Sequence, residues 1–308
     1  MEKAGSMGRS MERHGRREAA KKRRLTMAYT YDIPFRVDLE GRVALVTGGN
    51  GGIGGMFCRA LAACGATVIV LGRNLERCRK VSDEINAGGG RADALSADVT
   101  DEQALLRVKE EVAQRYGRIH ILVNAAGGAV RSAMVPQDQM ADGGERTFFD
   151  VPAEDVQKEF DLNMRGTWLP SKVLTPLMIG QQGACVINVS SMSAFGPLTR
   201  IPGYSGAKAG VSNFTQWLAT YLARSGVRVN AIAPGFFMTE QNHALQFHPD
   251  GTPTPRCEKI IAGTPMRRFG ELHELIGALL FLVDERAAGF ITGVVLPVDG
   301  GYSAYSGV

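Results

Sequence analysis

No apolar stretch in this 308-residue chain approaches the roughly eighteen consecutive residues that a membrane-spanning helix needs, so a soluble protein is expected. Cysteine is sparse. The five that occur (Cys58, Cys64, Cys78, Cys185, Cys257) form no C-x-x-C pair and lie mostly in apolar patterns. That argues against a disulfide framework and for reduced thiols in a cytoplasmic setting. The five histidines (His14, His120, His243, His248, His273) are scattered without a ligand-like spacing, so no metal is expected. A net charge of one sign is also missing from most of the chain. Residues 1–24 hold nine Lys and Arg against three Glu; taken from totals of 35 and 31, this leaves 26 basic and 28 acidic residues, or −2, elsewhere. Such balance gives no reason to expect a nucleic-acid partner. Residues 1–30 read as a disordered basic extension, with Met27 as the natural start.

Glycine is plentiful at 38 residues, and apolar side chains make up 44%. From residue 41 onward, β-branched runs alternate with longer amphipathic segments. Strands are expected over 43–47, 67–71, 92–98, 119–124, 184–189, 227–233 and 293–298. Helices are expected over 53–64, 74–87, 102–116, 154–179, 205–224 and 271–283. This alternation implies an α/β fold: a doubly wound parallel sheet of about seven strands, with helices on both faces. One domain over 31–308 accommodates it. Two loop-rich stretches, 128–151 and 235–264, follow the carboxyl ends of strands, where open α/β sheets bind ligands. Residues 236–264 are therefore the expected substrate lid.

Three patterns carry chemistry. Thr47-Gly48-Gly49-Asn50-Gly51-Gly52-Ile53-Gly54 lies between the first strand and first helix, where glycines let backbone approach a pyrophosphate and the helix N-terminus offers free N–H groups. At the end of the second strand, Gly72 stands where an NAD-selective site usually has a carboxylate, and Arg73 can pair with a 2′-phosphate. NADP(H) is the expected cofactor, with NAD the alternative. Tyr204 and Lys208, four apart, fall on one helical face behind the strand-end pair Ser190-Ser191. A cation there would lower a phenol's pKa from about 10 and make Tyr204 a proton donor near neutrality.

These pieces, with Asp98-Val99, Asn124-Ala125-Ala126-Gly127, Asn163, Pro234-Gly235, Thr239 and Asp299-Gly300-Gly301, occur in an order that resembles the short-chain dehydrogenase/reductase family from about residue 38 onward. The resemblance implies a single-domain Rossmann-type fold and a homotetramer. It implies that Ser191 orients the reacting oxygen, Tyr204 is the acid/base, Lys208 holds the nicotinamide ribose, and Asn163 anchors a relay water. Cofactor contacts are implied for Gly48, Asn50, Gly52, Ile53, Gly54, Arg73, Asp98 and Val99 (adenine), Asn124 (ribose), Ala126, Gly127, Tyr204, Lys208, Pro234, Gly235, Phe237 and Thr239 (carboxamide). Ala125 departs from the family's usual second asparagine.

The segments 190–202, 213–218, 233–242 and 303–308 are similar to members that interconvert D-fructuronate and D-mannonate, relatives of gluconate 5-dehydrogenases. A sugar acid needs a cation for its carboxylate and polar partners for its hydroxyls. Arg200 is the candidate for the carboxylate, Gln241 and Asn242 for the hydroxyls, with Ser191 and Met192 beside the reacting carbon; Arg131, Arg146 and His243 are reserves. Another short-chain reductase, such as a gluconate 5-dehydrogenase or a 3-oxoacyl reductase, is the enzymatic alternative, and an NADP(H)-sensing binding protein the non-enzymatic one.

Overall fold

In the computed structural model, the residues described are 36–140 and 146–307, without the side chains of 240–242. The expected 1–30 extension lies outside them. Seven strands form one parallel sheet: β1 (Val43–Thr47), β2 (Thr67–Gly72), β3 (Arg91–Ser96), β4 (Ile121–Asn124), β5 (Cys185–Val189), β6 (Arg228–Pro234) and β7 (Val295–Val298), in the order 3-2-1-4-5-6-7. Every residue of β1 is buried, and successive side chains enter opposite layers. Ala44 and Val46 join one cluster, Val43 and Leu45 the other, as a period of two requires when both faces are covered.

The first layer comes from α1 (Gly52–Ala63), α2 (Leu75–Ala87) and α9 (Glu274–Val283), with Phe57, Leu61, Val81, Leu275 and Leu279 inward. The second comes from α3 (Glu102–Tyr116), α5 (Gly166–Leu174) and α6 (Pro202–Leu222), through Leu105, Val112, Val173, Phe214 and Leu218. Each fully buried Leu or Phe stabilises the fold by roughly 1.5–3 kcal/mol relative to exposure. Local signals set the helix starts. Asn74 accepts from Arg77 N at 3.0 Å and caps α2; Asp101 accepts from Gln103 N at 2.9 Å and Ala104 N at 3.1 Å and caps α3.

Two expectations need correction. The helix expected over 154–179 is α4 (Ala153–Phe160), a π turn (Asp161–Arg165), α5 and a final 3-10 turn (Thr175–Leu177). The extra residue of the π turn lies beneath the site described below. The stretch 235–264 is less irregular than expected, because it carries α7 (Glu240–Gln246) and α8 (Pro255–Gly263). Thr254 caps α8 by accepting from Cys257 N at 3.2 Å, and Pro255 occupies its first turn. The remaining short helix is α10 (Glu285–Ala288). No helix among the described residues is long and apolar enough to cross a membrane.

The chain runs from β3 across the sheet to β4, so β1 and β4 are neighbours whose following segments leave in opposite directions. That switch point opens a crevice beyond their carboxyl ends.

Candidate active site

The glycine loop fills one side of the crevice. Gly48 has φ +63°, and a Cβ there would fall 2.8 Å from both Cα and N of Ala126. A Cβ on Gly54 would collide with the Gly48 carbonyl. Both positions therefore require glycine if the loop is to fold tightly onto α1 and lie against β4. Gly51, at the N-cap of α1, supplies no side-chain cap, so the first amides of that helix are available to an anion. Gly52 faces Thr239 and Leu272, each 3.7 Å from its would-be Cβ. Met238, Thr239, His243 and Leu272 line a cavity of about 580 Å³ above it. An uncapped helix start, a cradle that side chains would fill and this adjoining space fit a dinucleotide.

At the end of β2, the Asn50 side chain occupies the space that a side chain at Gly72 would need. Arg73 is exposed, and its guanidinium lies near Asp98. Burial works to raise the Asp98 pKa, but the Thr100 amide and hydroxyl, at 2.9 and 2.7 Å, and the Arg73 charge hold it below the ordinary carboxylate range. Val99 is buried against Gly166, so it has backbone rather than side chain to offer an adenine.

The reactive cluster lies across the crevice. Ser191 caps the 3-10 turn (Met192–Ala194) that follows β5 and faces the Tyr204 phenol closely enough to draw its pKa down. The Ser191 oxygen accepts from Ser193 N at 3.2 Å and the Ser193 hydroxyl at 3.0 Å. Lys208 is 3% exposed and donates to the Val189 carbonyl at 2.7 Å. The Lys208 ammonium lies 5.7 Å from the Tyr204 ring centroid. A Cβ on Gly127 would sit 2.8 Å from Asn163 Oδ1 and 3.1 Å from Lys208 Nζ, so this glycine is the gap between the two. Asn163, in the π turn, accepts from Gly128 N at 3.0 Å and donates to the Gly128 and Glu159 carbonyls at 2.9 Å.

The expectation that Lys208 lowers the Tyr204 pKa is corrected. Burial pushes the phenol above its ordinary value; the Ser191 hydroxyl works the other way, and the Glu159 charge adds to the rise. Lys208 is itself pushed down to about 8 by burial. Its ammonium is engaged by the strand end at Val189 and lies over the tyrosine ring.

Asn124 also departs from expectation. It is 1% exposed, and its amide donates to Ser171 Oγ at 2.9 Å and Asn188 Oδ1 at 2.8 Å, so the side chain braces β4 against β5 and α5 rather than reaching a ribose. Phe237 is buried with its ring against Gly270, and Met192 is 3% exposed; neither presents an open face to a ligand. Ala126 N donates to Thr47 Oγ1 at 3.2 Å, and Gly235 N to the Val298 carbonyl at 2.9 Å, so both hold strand ends in place. Arg200 is half-buried two residues before α6, donating from Nε to the Val135 carbonyl at 3.4 Å. The side chains of Gln241 and Asn242 lie outside the described residues.

Sequence reasoning missed Glu159. It is fully buried on α4: one carboxylate oxygen accepts from Val130 N at 2.8 Å, while the other packs against Gly203 at the start of α6 without a hydrogen-bond partner. Burial raises its pKa, against that backbone bond. Its spacing of four from Asn163 was the available signal. Among the described residues no group of three or more His, Cys, Asp or Glu is placed to hold a metal ion.

Comparison with known proteins agrees with this geometry. Residues 42–249 match the family model for short chain dehydrogenases. An uncharacterized oxidoreductase of Haemophilus influenzae is 46% identical over 285 residues, 92% of this chain and 100% of that protein. A crystal structure from Haemophilus influenza, provisionally assigned as a D-mannonate oxidoreductase and containing NAD, is 46% identical, with a TM-score of 0.86 over 90% of this chain and 100% of that one. A gluconate 5-dehydrogenase from Burkholderia cenocepacia, in complex with NADP and tartrate, is 29% identical, with a TM-score of 0.74 over 88% of this chain and 99% of that one. The chain thus belongs to the short-chain dehydrogenase family and is an NAD(P)-dependent oxidoreductase.

Proposed function

We propose that the enzyme interconverts a ketone and a secondary alcohol on a sugar acid, D-fructuronate and D-mannonate. The observation that carries the reaction type is the convergence of Ser191 and Tyr204, with Lys208 buried beside the tyrosine ring. A bound nicotinamide would supply or accept the hydride. In the reducing direction Tyr204 gives its phenolic proton to the carbonyl oxygen as that oxygen gains charge, and Ser191 holds the same oxygen by a hydrogen bond. Ser193 keeps the Ser191 hydroxyl in place. In the oxidising direction the same proton returns to Tyr204. Lys208 would hold the nicotinamide ribose, and the Asn163 segment across Gly127 offers the route by which a proton is replaced.

The substrate class rests on Arg200, just before α6, and on the relatives: one structure assigned to D-mannonate, another holding tartrate, itself a hydroxy acid. For the cofactor we favour NADP(H). Arg73 is an exposed cation beside Asp98, and the β2 end carries no carboxylate to accept ribose hydroxyls. NAD in the Haemophilus relative supports the second reading. We also place the enzyme in the cytoplasm, given its five free cysteines, as a homotetramer. The stacked, exposed Trp217 and Tyr221 on α6 and the half-buried edge strand β7 offer apolar surface to other copies. Light scattering that returned a monomer would refute the assembly. A screen at 340 nm of sugar acids and their keto forms, run with NADH and NADPH in parallel, tests the function. Turnover of D-fructuronate is expected, and turnover of neutral ketones alone would refute the substrate class.

A further inference from the structure

Beyond the proton-transfer cluster, two arginines stand out, one just before the catalytic helix α6 and one in α8. Arg200 precedes Tyr204 by four residues; Arg256 is the second residue of α8, in the segment expected to cover the substrate. Two sets of contacts bring their segments together. Val135 N donates to the Arg200 carbonyl at 2.9 Å, while Arg200 Nε donates to the Val135 carbonyl at 3.4 Å. Asp138 accepts from the Thr199 hydroxyl at 3.3 Å and from Lys259, three residues beyond Arg256, at 2.6 Å.

Asp138 therefore pairs with Lys259, and its charge also reaches Arg200 without forming an ion pair. The guanidiniums fare differently. Among the described residues, no carboxylate lies within ion-pair distance of either. Arg256 is half-buried, and its Nε is buried without a hydrogen-bond partner. Burial holds its pKa below the ordinary arginine value, and the charge of Arg200 adds to that, so the two cations are close enough to repel. A buried donor without a partner and two like charges in proximity each cost stability. One planar anion would relieve both, because a carboxylate accepts from two guanidinium forks at once.

We propose that Arg200 and Arg256 together bind the carboxylate of the substrate, Arg256 being delivered by α8, so that the acid itself fastens the lid to the loop before the catalytic helix. This deepens the sugar-acid reading and rests on it. It adds a second residue and a reason for selectivity: a neutral polyol with the same hydroxyls cannot neutralise the pair.

The test is calorimetric titration of the cofactor-saturated, full-length enzyme with D-mannonate, D-gluconate, the neutral D-mannitol and inorganic phosphate at fixed ionic strength. Wild type should bind the aldonates at least about tenfold more tightly than mannitol or phosphate. Arg256→Ala should weaken aldonate binding by about ten- to a hundredfold and leave mannitol unchanged, since a hydrogen bond to a charged group is worth roughly 1.5–3 kcal/mol. Arg256→Lys should recover only part, and the Arg200→Ala/Arg256→Ala double variant should lose less than the product of the single losses, because both grip one ligand. Equal wild-type affinity for D-mannonate and D-mannitol, tighter phosphate, or an Arg256→Ala variant with unchanged aldonate affinity would overturn the clamp. Turnover of the same acids is read separately. Arginine-dependent aldonate binding without turnover of any sugar acid keeps the clamp and refutes the sugar-acid reaction.

Discussion

Replacing Lys208 by methionine should abolish turnover and yet make the cofactor-free protein more stable at neutral pH. The ammonium is 3% exposed, and burial alone lowers its pKa from 10.5 to about 8. At about 1.4 kcal/mol per pKa unit, holding Lys208 protonated at pH 7 costs the folded state about 3 kcal/mol relative to the unfolded chain. Methionine fills a similar volume without charge. Its gain is reduced by losing the 2.7 Å bond to the Val189 carbonyl, an effect of about 1.5–3 kcal/mol for a charged donor. A net stabilisation of up to about 1.5 kcal/mol remains, or up to roughly 5 °C in melting temperature for a domain of this size. The sign of the pH dependence follows. Between pH 8 and 10.5 the unfolded chain keeps its proton on Lys208 while the folded protein has lost it, so wild-type stability rises with pH across that window. Scanning calorimetry of the cofactor-free proteins from pH 7 to 10 reads both effects, and other titrating groups cancel in the difference. The variant should lead at pH 7 and lose its lead by pH 10. A variant that melts lower at pH 7, or a difference that stays constant with pH, would refute the burial cost assigned to Lys208.

Tyr204→Phe should remove most of kcat while cofactor affinity, read by fluorescence titration, stays within about threefold; comparable turnover would exclude Tyr204 as the proton donor. Glu159→Gln removes a buried negative charge beside Tyr204, so the phenol's pKa should fall and the acid limb of the oxidation pH–rate profile should move to lower pH. A lower kcat with the limb unmoved would leave Glu159 only a packing role. Gly72→Asp should turn coenzyme preference towards NAD(H), at some cost in stability because the Asn50 side chain must move, and an unchanged ratio of kcat/KM for the two coenzymes would refute the β2 end as the selective element.

Much of the architecture was legible because the strands are short β-branched runs buried on both faces, and because glycine punctuates their ends. The loop at Thr47–Gly54 was readable because Gly48 and Gly54 answer backbone contacts that tolerate no side chain. The spacing of Tyr204 and Lys208 correctly put them on one helix face, but spacing says nothing of where an ammonium goes along its four-carbon stem; it goes to Val189 and the tyrosine ring. Glu159 was passed over, despite its spacing from Asn163, because a glutamate in an amphipathic helix normally faces water, and only the tertiary approach of Val130 and α6 makes it internal. Helix α8 was passed over among prolines, although Thr254 followed by Pro255 is itself a helix-start signature. No periodicity signalled the π turn, since helices of 8 and 9 residues on either side are too short for a phase slip between them to stand out.

The surplus residue of the π turn fixes the phase of everything after it. Thr167 donates to the Asn163 carbonyl at 2.8 Å, Ser171 to Thr167 at 2.8 Å, and Thr175 to Ser171 at 2.7 Å, a ladder of hydroxyls on a single face whose Ser171 rung also accepts from Asn124. Deleting one position among residues 161–165 would rotate that face by about 100°, carrying the hydroxyls away from the sheet and bringing apolar groups against Asn124 and Asn188. Point substitutions in this segment are therefore a milder insult than a change of length: here the chain counts residues, and its tally sets whether two halves of a long helix agree about which side is inside.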